Sequence, residues 1–556
     1  MPDYPETMKK SERSTPARTA RAILASLLFI ACAALNVPAQ QQPQQPQQQP
    51  AAYWNPVIAG DYPDPSVIRS GADYWATTTS GEWAPLFPIL HSRDLVNWKV
   101  AGAVFRQRPS WAERNFWAPE MVEDRGRFFV FYTARKKGGP LCVAVATAMQ
   151  AAGPYTDRGP LVCQSIGSID AATARDENGQ FYLVWKEDGN SRNRPTRIWA
   201  QRLSEDSTKL YGEKKELLRN DVAWEGGVVE GPFIVRRGDW FYLFYSGNAC
   251  CGRSCNYALG VARSRKLLGP WEKNPSNPIL AANETWQCPG HGSIVEDAGG
   301  RSFLLYHSYK RTEDFAQIGR EALLDEVDWS ASAWPTINNG KGPSRERDAP
   351  STGSPSPVSD GFTDDFNSPS LSTGWQWPQD NEPVMRIETE GGGHLLLAPN
   401  AEHASDLAGA VLARPTTSGD YEATVVIDTR AMKRGAHAGV AAYQGNRDAL
   451  GVAVGDGKIT VWLREGKGQK TVASASAPAS PIVHLRLTAS DGYLFRFAFS
   501  SDGRDWKNVG EQVNGSHLEA IRIALTAGGA KEAVARFDSF RITSEYNDNF
   551  NTGRHH

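Results

Sequence analysis

Five polar residues recur at equivalent positions along the N-terminal part of the chain and could form one acid–base site. Each lies roughly 8 to 12 residues before an aromatic-rich run, and they are Asp64, Glu120, Asp170, Glu230 and His291. Carboxylates held close together repel one another and raise one another's pKa, a costly arrangement that usually marks a functional site. General acid–base catalysis uses acids of unequal pKa. The recurrence therefore predicts a shared site.

Each of these residues taken alone has an ordinary structural explanation. Asp64 precedes Pro65 and could be a turn aspartate. For Glu120 the structural explanation is preferred, with an arginine as its partner. Asp170 and Glu230 instead follow apolar residues, which is a poor setting for a carboxylate without a task. Their repetition favours the functional explanation.

The elements that must position these residues are short strands. Five aromatic-rich runs follow Gly- or Asp-containing turns at intervals of roughly 50 to 60 residues: Tyr74-Trp75, Phe128–Tyr132, Phe181–Trp185, Phe241–Tyr245 and Phe303–Tyr306. Such runs, bounded by turn formers, are typical of β-strands and not of helices. The pattern predicts five propeller blades, whose innermost strands bring the polar residues to one end of a central channel.

Composition and charge exclude some functions. The 556 residues include 60 Lys and Arg against 62 Asp and Glu, which leaves no basic field for nucleic acid. The chain also has 18 Trp, 51 Gly and 35 Pro, which favours an all-β, turn-rich protein. Its length favours two domains.

The N-terminus resembles an export signal. Basic residues from Lys9 to Arg21 precede an apolar run, Ala22 to Leu35, that would reach only ~21 Å as a helix, so no stable membrane span is expected. Residues 1–39 are therefore predicted to be a signal peptide of a secreted or periplasmic protein. Cys32 leaves a lipoprotein anchor as the alternative. The Gln/Pro-rich residues 40–52 are predicted to be a spacer.

Six cysteines remain after this signal: Cys142, Cys163, Cys250, Cys251, Cys255 and Cys288. An even number in an exported chain predicts up to three disulfides, with their connectivity open. A zinc site in the cluster that ends with Cys288 is the alternative, although the paired CxxC spacing is missing.

Six short motifs resemble, in order and spacing, those of glycoside hydrolase family 43. They are Asp61-Tyr62-Pro63-Asp64-Pro65, His91-Ser92-Arg93-Asp94-Leu95, Phe116-Trp117-Ala118-Pro119-Glu120, Ser168-Ile169-Asp170, Glu230-Gly231-Pro232 and Gly290-His291-Gly292-Ser293. The resemblance implies a five-bladed β-propeller over residues 53–337 and an inverting glycosidase.

By this resemblance, Asp64 is expected to be the general base, Glu230 the general acid and Asp170 the residue that orients the acid. Inverting hydrolysis needs one ionised carboxylate to activate water and one protonated acid for the leaving oxygen, roughly 6.5 to 9.5 Å apart. We expect Asp170 to raise the pKa of Glu230 by repulsion, so that Glu230 stays protonated near neutral pH.

Further site residues are predicted around this trio. The resemblance implies that His291 lies at the pocket floor and that Arg320 faces substrate hydroxyls. Trp117 is predicted to stack on a sugar. The chemistry requires no cofactor, but a structural calcium or sodium ion is implied in the channel, with His307 as its ligand. A core histidine satisfied by backbone is the alternative for His307.

The second half of the chain differs from the first. Residues 338–361 are rich in Gly, Pro and Ser and are predicted to be a linker. Residues 362–543 alternate apolar and polar positions in short runs, the period of antiparallel strands. They resemble the concanavalin A-like β-sandwich (jelly roll) attached to many xylosidases of the family. Residues 544–556 are predicted to be a tail. The sandwich either packs on the propeller and closes the pocket or binds sugar independently.

The sequence thus predicts an exported inverting hydrolase that acts on plant polysaccharide or oligosaccharide. The expected substrates are α-L-arabinofuranosides or β-xylosides of hemicellulose or of pectin-derived oligosaccharides. Two alternatives stay open: a carbohydrate-binding propeller that has lost catalysis, and a retaining fructan hydrolase of the related five-bladed group.

Overall fold

The computed structural model describes residues 51–312, 315–329, 334–352, 361–466 and 468–544. The predicted signal peptide and almost all of the predicted spacer and tail lie outside these residues. Within the described ranges, no helix is long and apolar enough to cross a membrane.

The predicted five-bladed propeller is confirmed. Each blade is a four-stranded antiparallel sheet whose strands follow chain order from the inside outward. Blades 1 to 3 comprise Ser66–Ser70, Asp73–Thr77, Leu86–Ser92 and Lys99–Phe105, then Ala112–Asp124, Arg127–Lys136, Leu141–Ala148 and Thr156–Val162, then Ser168–Arg175, Phe181–Glu187, Arg197–Leu203 and Leu210–Arg219. Blades 4 and 5 comprise Val229–Arg237, Trp240–Gly247, Ala258–Ser264 and Glu272–Lys273, then Trp286–Glu296, Ser302–Lys310, Glu321–Asp328 and Thr336–Ile337.

The inner strands close a ring, because each contacts the next and that of blade 5 contacts that of blade 1. Strand Ala52–Trp54 lies near this closure and pairs with Glu346–Asp348. The Asn55 side chain donates to Leu324 O and accepts from Leu324 N in blade 5. Part of the segment predicted as a linker therefore forms a strand that pairs with the start of the propeller.

The aromatic runs fill the spaces between blades, because alternate side chains of a strand face opposite sides of the sheet. In blade 2, Phe129 and Phe131 pack with Trp185 of blade 3. Tyr132, one position further, packs on Phe87 of blade 1 at a ring distance of 5.2 Å. The repeated runs thus form the core between neighbouring blades.

The C-terminal region is a sandwich of two antiparallel sheets. The larger sheet contains Gly361–Asp364, Val384–Glu388, His394–Ala398, Tyr421–Asp428, Ile482–Ser490, Leu494–Ser500, Lys507–Asn508, Val513–Asn514 and Ala535–Ser544. The smaller sheet contains Ala410–Pro415, His437–Gly445, Asp448–Gly455, Lys458–Glu465, Gly468–Ser476 and Arg522–Gly528. Strand Trp377–Pro378 of this region pairs with Trp83–Ala84 of blade 1, so the sandwich packs on the propeller.

Helix is confined to short turns in the part of the chain that the structure describes. They are the α-helical turn Phe315–Ile318 and the 3-10 turns Gly189–Arg192, Ala223–Glu225 and Asn338–Gly340. The six cysteines form three disulfides: Cys142 with Cys163, Cys250 with Cys251, and Cys255 with Cys288.

Candidate active site

The backbone is irregular where the inner strands carry the predicted site residues. Asp64, Asp170 and His291 have φ values of 55°, 55° and 45°, in the left-handed region that such residues rarely adopt. The strand pairing also shifts register beside Asp170, Glu230 and His291. β-Bulges of this kind redirect side chains and are common next to active sites. Local irregularity thus turns these residues away from the regular pattern of the sheet.

Asp64 is a buried carboxylate with hydrogen-bond or charge partners on both oxygens. Oδ2 accepts a 2.7 Å hydrogen bond from the Thr79 hydroxyl. Oδ1 lies 3.1 Å from Arg320 Nη1, 3.1 Å from His307 Nδ1 and 3.4 Å from His291 Nδ1. Arg320, His307 and His291 are more than 200 positions from Asp64 in sequence, and the structure brings all three to the predicted base.

These contacts decide the charge of Asp64. Burial alone would raise its pKa, but Arg320, His291 and His307 outweigh burial and hold the pKa of Asp64 well below its ordinary value. The carboxylate is therefore ionised at neutral pH. An ionised carboxylate is the form that a general base requires.

His307 is fully buried, and the pKa of its imidazole is lowered to about 4, chiefly by burial. Its Nδ1 accepts a 3.2 Å hydrogen bond from the backbone N–H of Asp64, in addition to the contact with the carboxylate. Its Nε2 is buried and has no hydrogen-bond partner among the described residues. The ring is thus a neutral imidazole with one nitrogen committed to Asp64 and the other unmatched.

An unmatched buried nitrogen fits an ion ligand only in the tautomer whose proton lies on Nδ1, in which Nδ1 donates to Asp64 Oδ1 and no longer accepts the Asp64 N–H. No three His, Cys, Asp or Glu side chains form a metal-binding group within the described ranges. An ion at His307 Nε2 would therefore take its other ligands from water. Calcium takes oxygen ligands, so the described residues fit the predicted ion only if water completes its coordination.

Glu230 is held between a lysine and a tyrosine. Lys186 Nζ donates to Oε2 at 2.6 Å, and the Tyr257 hydroxyl donates to Oε1 at 2.9 Å. Lys186 has a side chain only 1% exposed and also lies 3.3 Å from Asp188 Oδ1. Burial would raise the pKa of Glu230, but Lys186, His291 and Tyr257 lower it below its ordinary value.

Asp170 lies beside Glu230 and is connected to it through the backbone. Its Oδ2 accepts a 3.0 Å hydrogen bond from the N–H of Gly231, the residue after Glu230. The pKa of Asp170 is raised to about 6, first by burial and then by repulsion from Glu230, against the opposing effect of His291 and Lys186. Asp170 is therefore positioned to orient the Glu230 segment and to hold a proton next to it.

The expected direction of the pKa of Glu230 is wrong. Repulsion from Asp170 was expected to raise it, yet the buried ammonium of Lys186 contacts Glu230 directly and outweighs that repulsion. Of the two acids, Asp170 has the raised pKa. When this pair binds one proton, Asp170 is therefore the residue that holds it.

His291 lies between the two sides of the site. Its Nδ1 faces Asp64, and a Cβ added to Gly231, which has a φ of 56°, would lie 2.9 Å from its ring. Only glycine thus lets the imidazole lie against the Glu230 segment.

Trp117 is half-buried on the inner strand of blade 2, and the N–H of the next residue, Ala118, donates to Thr79 Oγ1.

Glu120 differs from the other carboxyls of the ring. Its hydrogen-bond partner is Ser66, and no arginine pairs with it among the described residues, so the expected arginine is not found. Burial raises the pKa of Glu120 to about 8. The neutral carboxyl adds no negative charge to the axis at neutral pH.

Sequence reasoning missed Lys186, Tyr257 and Thr79, which contact the predicted acid and base. Lys186 directly follows the aromatic run Phe181–Trp185, and a charged residue that continues a buried strand is a signal that was present. Tyr257 and Thr79 lie in connections with no comparable signal.

Comparison with known proteins agrees with this architecture. The sequence model of Glycosyl hydrolases family 43 matches residues 53–335, and that of the Beta xylosidase C-terminal Concanavalin A-like domain matches residues 363–542. The predicted concanavalin A-like character of the sandwich is thereby confirmed.

Individual relatives cover most of the chain. Xylosidase/arabinosidase 43B of Humicola insolens is 28% identical over 83% of this chain and 89% of its own length. A Beta-xylosidase of Bacillus subtilis is 29% identical over 67% of this chain and 74% of its own. The crystal structure of the protein BlXynB from Bacillus licheniformis superposes with a TM-score of 0.77 at 26% identity, over 89% of this chain and all of its own. The chain therefore belongs to glycoside hydrolase family 43, and it is a glycosidase.

Proposed function

We propose that this protein is an inverting hydrolase of pentose glycosides, an α-L-arabinofuranosidase or β-xylosidase that acts on plant hemicellulose or on pectin-derived oligosaccharides. The observation that carries the proposal is the contrast between Asp64, which is ionised, and the Asp170–Glu230 pair, which can hold a proton. The names of the relatives, xylosidase and arabinosidase, support a pentose as the sugar.

In this mechanism a water molecule attacks the anomeric carbon while Asp64 accepts one of its protons. The C–O bond to the leaving group breaks in the same displacement, and Glu230 donates a proton to the leaving oxygen. Arg320 and His291 keep Asp64 ionised, and we expect both to contact the sugar. The stereochemistry at the anomeric carbon inverts because one displacement occurs.

The proton must reach Glu230 before the bond breaks. A bound sugar excludes water and brings an ether oxygen, which is an acceptor, next to Glu230, so binding favours the protonated form of that carboxyl. Asp170 is the neighbour that supplies the proton, since its pKa is higher than that of Glu230. Lys186 then determines how readily the proton moves between the two acids.

We further propose that His307 Nε2 binds a calcium or sodium ion together with water. The unmatched nitrogen supports this role. Such an ion would add positive charge near Asp64, and no chemical step depends on it.

Export is part of the proposal as well. The three disulfides support an oxidising compartment, in agreement with the signal expected from residues 1–39.

The test is hydrolysis of nitrophenyl α-L-arabinofuranoside, nitrophenyl β-xyloside and, as a separate substrate, a fructan, with Asp64→Asn as the matched inactive control. We expect turnover of pentosides that the control lacks. Binding without turnover across the panel would favour a carbohydrate-binding propeller, and release of fructose would favour the fructan-hydrolysing group.

A further inference from the structure

A segment of the sandwich runs along the turn that leads to Arg320. The backbone N–H of Ala520 donates to Ala316 O at 2.7 Å, and that of Ile521 donates to Gln317 O at 2.8 Å. Ala316 and Gln317 belong to the short helical turn of the propeller that ends two residues before Arg320. The two regions are therefore joined by main-chain hydrogen bonds next to the site.

Arg522, the following residue of the sandwich, reaches further. Its side chain is 3% exposed, and Nη2 lies 3.2 Å from Asp61 Oδ2. Nη1 donates to Ala520 O at 2.8 Å, and Nε donates to Gln376 Oε1 at 3.1 Å. With all three nitrogens engaged, the guanidinium is fixed by the sandwich and presents one edge to Asp61.

Asp61 in turn fixes the backbone of Arg320. Its second oxygen accepts a 3.1 Å hydrogen bond from Arg320 N, and Tyr62 N donates to Arg320 O at 2.9 Å. A Cβ on Gly319, whose φ is 101°, would lie 2.5 Å from Asp61 Oδ1, so a side chain there would displace the carboxylate. The Arg320 guanidinium then contacts Asp64 Oδ1 at 3.1 Å.

We propose that Arg522 is a positioning residue for the hydrolytic site: it holds Asp61, which sets the backbone of Arg320 and thereby the guanidinium that contacts Asp64. The inference rests on the proposed function through the role of Asp64 as base. It makes the sandwich a structural part of the active site, in contrast to a free-standing sugar-binding module.

The first test compares Arg522→Met with Arg106→Met in the full-length protein. Arg106 also links propeller to sandwich, through an exposed ion pair with Glu382 at 2.8 Å, but it does not reach Asp61. Because small misplacements at a reacting centre can cost about 100-fold, we expect kcat/KM of Arg522→Met to fall by about 10- to 100-fold. Arg106→Met should stay within about twofold of the wild type, since exposed pairs contribute little.

A double-mutant cycle separates positioning from general destabilisation. If Arg522 acts through Arg320, Arg522→Met should cost less than about threefold in an Arg320→Met background, because the group that it positions is already absent. Equal costs in both backgrounds would overturn the proposal.

Removing one partner of a buried pair can be strongly destabilising, so Arg522→Met could fail to fold. Two further variants test the proposal in that case. Asp61→Asn removes the charge and replaces one acceptor oxygen with an NH2 donor, so that residue 61 can no longer accept from both Arg320 N and Arg522 Nη2. Arg522→Lys keeps the charge. We expect Asp61→Asn to lose activity as Arg522→Met does, and Arg522→Lys to retain more activity than either. Wild-type hydrolysis that Asp64→Asn abolishes, combined with full activity of Asp61→Asn, would refute this inference while the proposed function stands. An inactive wild type would instead count against the proposed function.

Discussion

Asp64 and Glu230 are both carboxylates at inner strands of the propeller, Asp64 two residues before Ser66–Ser70 and Glu230 within Val229–Arg237, but their surroundings differ. Asp64 contacts Arg320, which is permanently charged, together with two imidazoles and a threonine hydroxyl. Glu230 contacts one lysine and one tyrosine, and the same lysine also contacts Asp188. Asp64 is therefore paired with the permanently charged Arg320, whereas Glu230 shares the charge of Lys186 with Asp188.

This difference explains how similar residues can perform opposite tasks. A guanidinium does not lose its proton at accessible pH, so Asp64 stays ionised and can only accept a proton. Around Glu230, the single charge of Lys186 is shared with Asp188, and Asp170 has the higher pKa of the acid pair, so a proton bound there must move from Asp170 to Glu230 before it is donated. The base side is fixed in one state, whereas the acid side is poised between two.

The largest losses of activity are expected for Asp64→Asn and Glu230→Gln, and substrates with different leaving groups should distinguish the two variants. Asp64→Asn should reduce kcat on the order of 1,000-fold or more with every substrate, because no leaving group replaces the base. Glu230→Gln should lose a similar factor on a natural oligosaccharide but far less on a nitrophenyl glycoside, whose leaving group departs without full protonation. Steady-state kinetics on both substrates measures this difference.

The matched control for these variants is Glu382→Gln, which lies in the exposed pair with Arg106 and should behave as wild type. Equal losses of Glu230→Gln on both substrates would contradict its role as acid.

The next effect concerns the pH dependence of the acid side. In the proposed mechanism the active form carries a proton on the Asp170–Glu230 pair, and burial raises the pKa of Asp170 to about 6, so kcat/KM should fall as pH rises above about 6. Lys186→Met removes a positive charge that favours ionised acids. It should therefore raise the pKa of the pair and move this alkaline limb upward by about one to three pH units.

Lys186→Arg keeps the charge and should leave the limb within a few tenths of a unit of its wild-type position. A limb that stays in place in Lys186→Met would show that Lys186 does not control the proton. His291, Tyr257 and Asp64 face the same pair and remain unchanged in both variants.

A smaller effect is expected from the hydroxyl on the base side. Thr79→Val removes the 2.7 Å hydrogen bond to Asp64 Oδ2 and leaves the Ala118 N–H without its acceptor. Because Arg320 still holds the other oxygen, kcat should fall by only about 3- to 10-fold, the range of one net hydrogen bond. Thr79→Ser keeps the hydroxyl and should therefore retain the activity of the wild type. A loss as large as that of Asp64→Asn would mean that Thr79 has a direct chemical role.

The parts of the structure that the sequence predicts best are those encoded by repetition. The aromatic runs such as Phe128–Tyr132 predicted the blades, because each run must bury both faces between neighbouring blades. The same repeat predicted Asp64, Asp170 and Glu230 on inner strands. The structure has Asp170 and Glu230 within such strands and Asp64 two residues before one.

Contacts between distant segments were not predictable. Lys186 meets Glu230 across a blade interface, and Arg522 meets Asp61 across 461 positions of sequence. The pKa of Glu230 depends on such a contact, which is why its expected direction was wrong. The pairing of Ala52–Trp54 with Glu346–Asp348, inside the predicted linker, has the same origin.

The stereochemistry of the first-formed sugar shows whether Asp64 acts as a general base or as a nucleophile. Proton NMR recorded during early turnover, before the sugar mutarotates, distinguishes the two anomers. The division between an ionised base at Asp64 and a proton donor at Glu230 predicts inversion, so that a β-xyloside releases α-xylose first. Release of the anomer with retained configuration would contradict the account, because it would require Asp64 to act as a nucleophile.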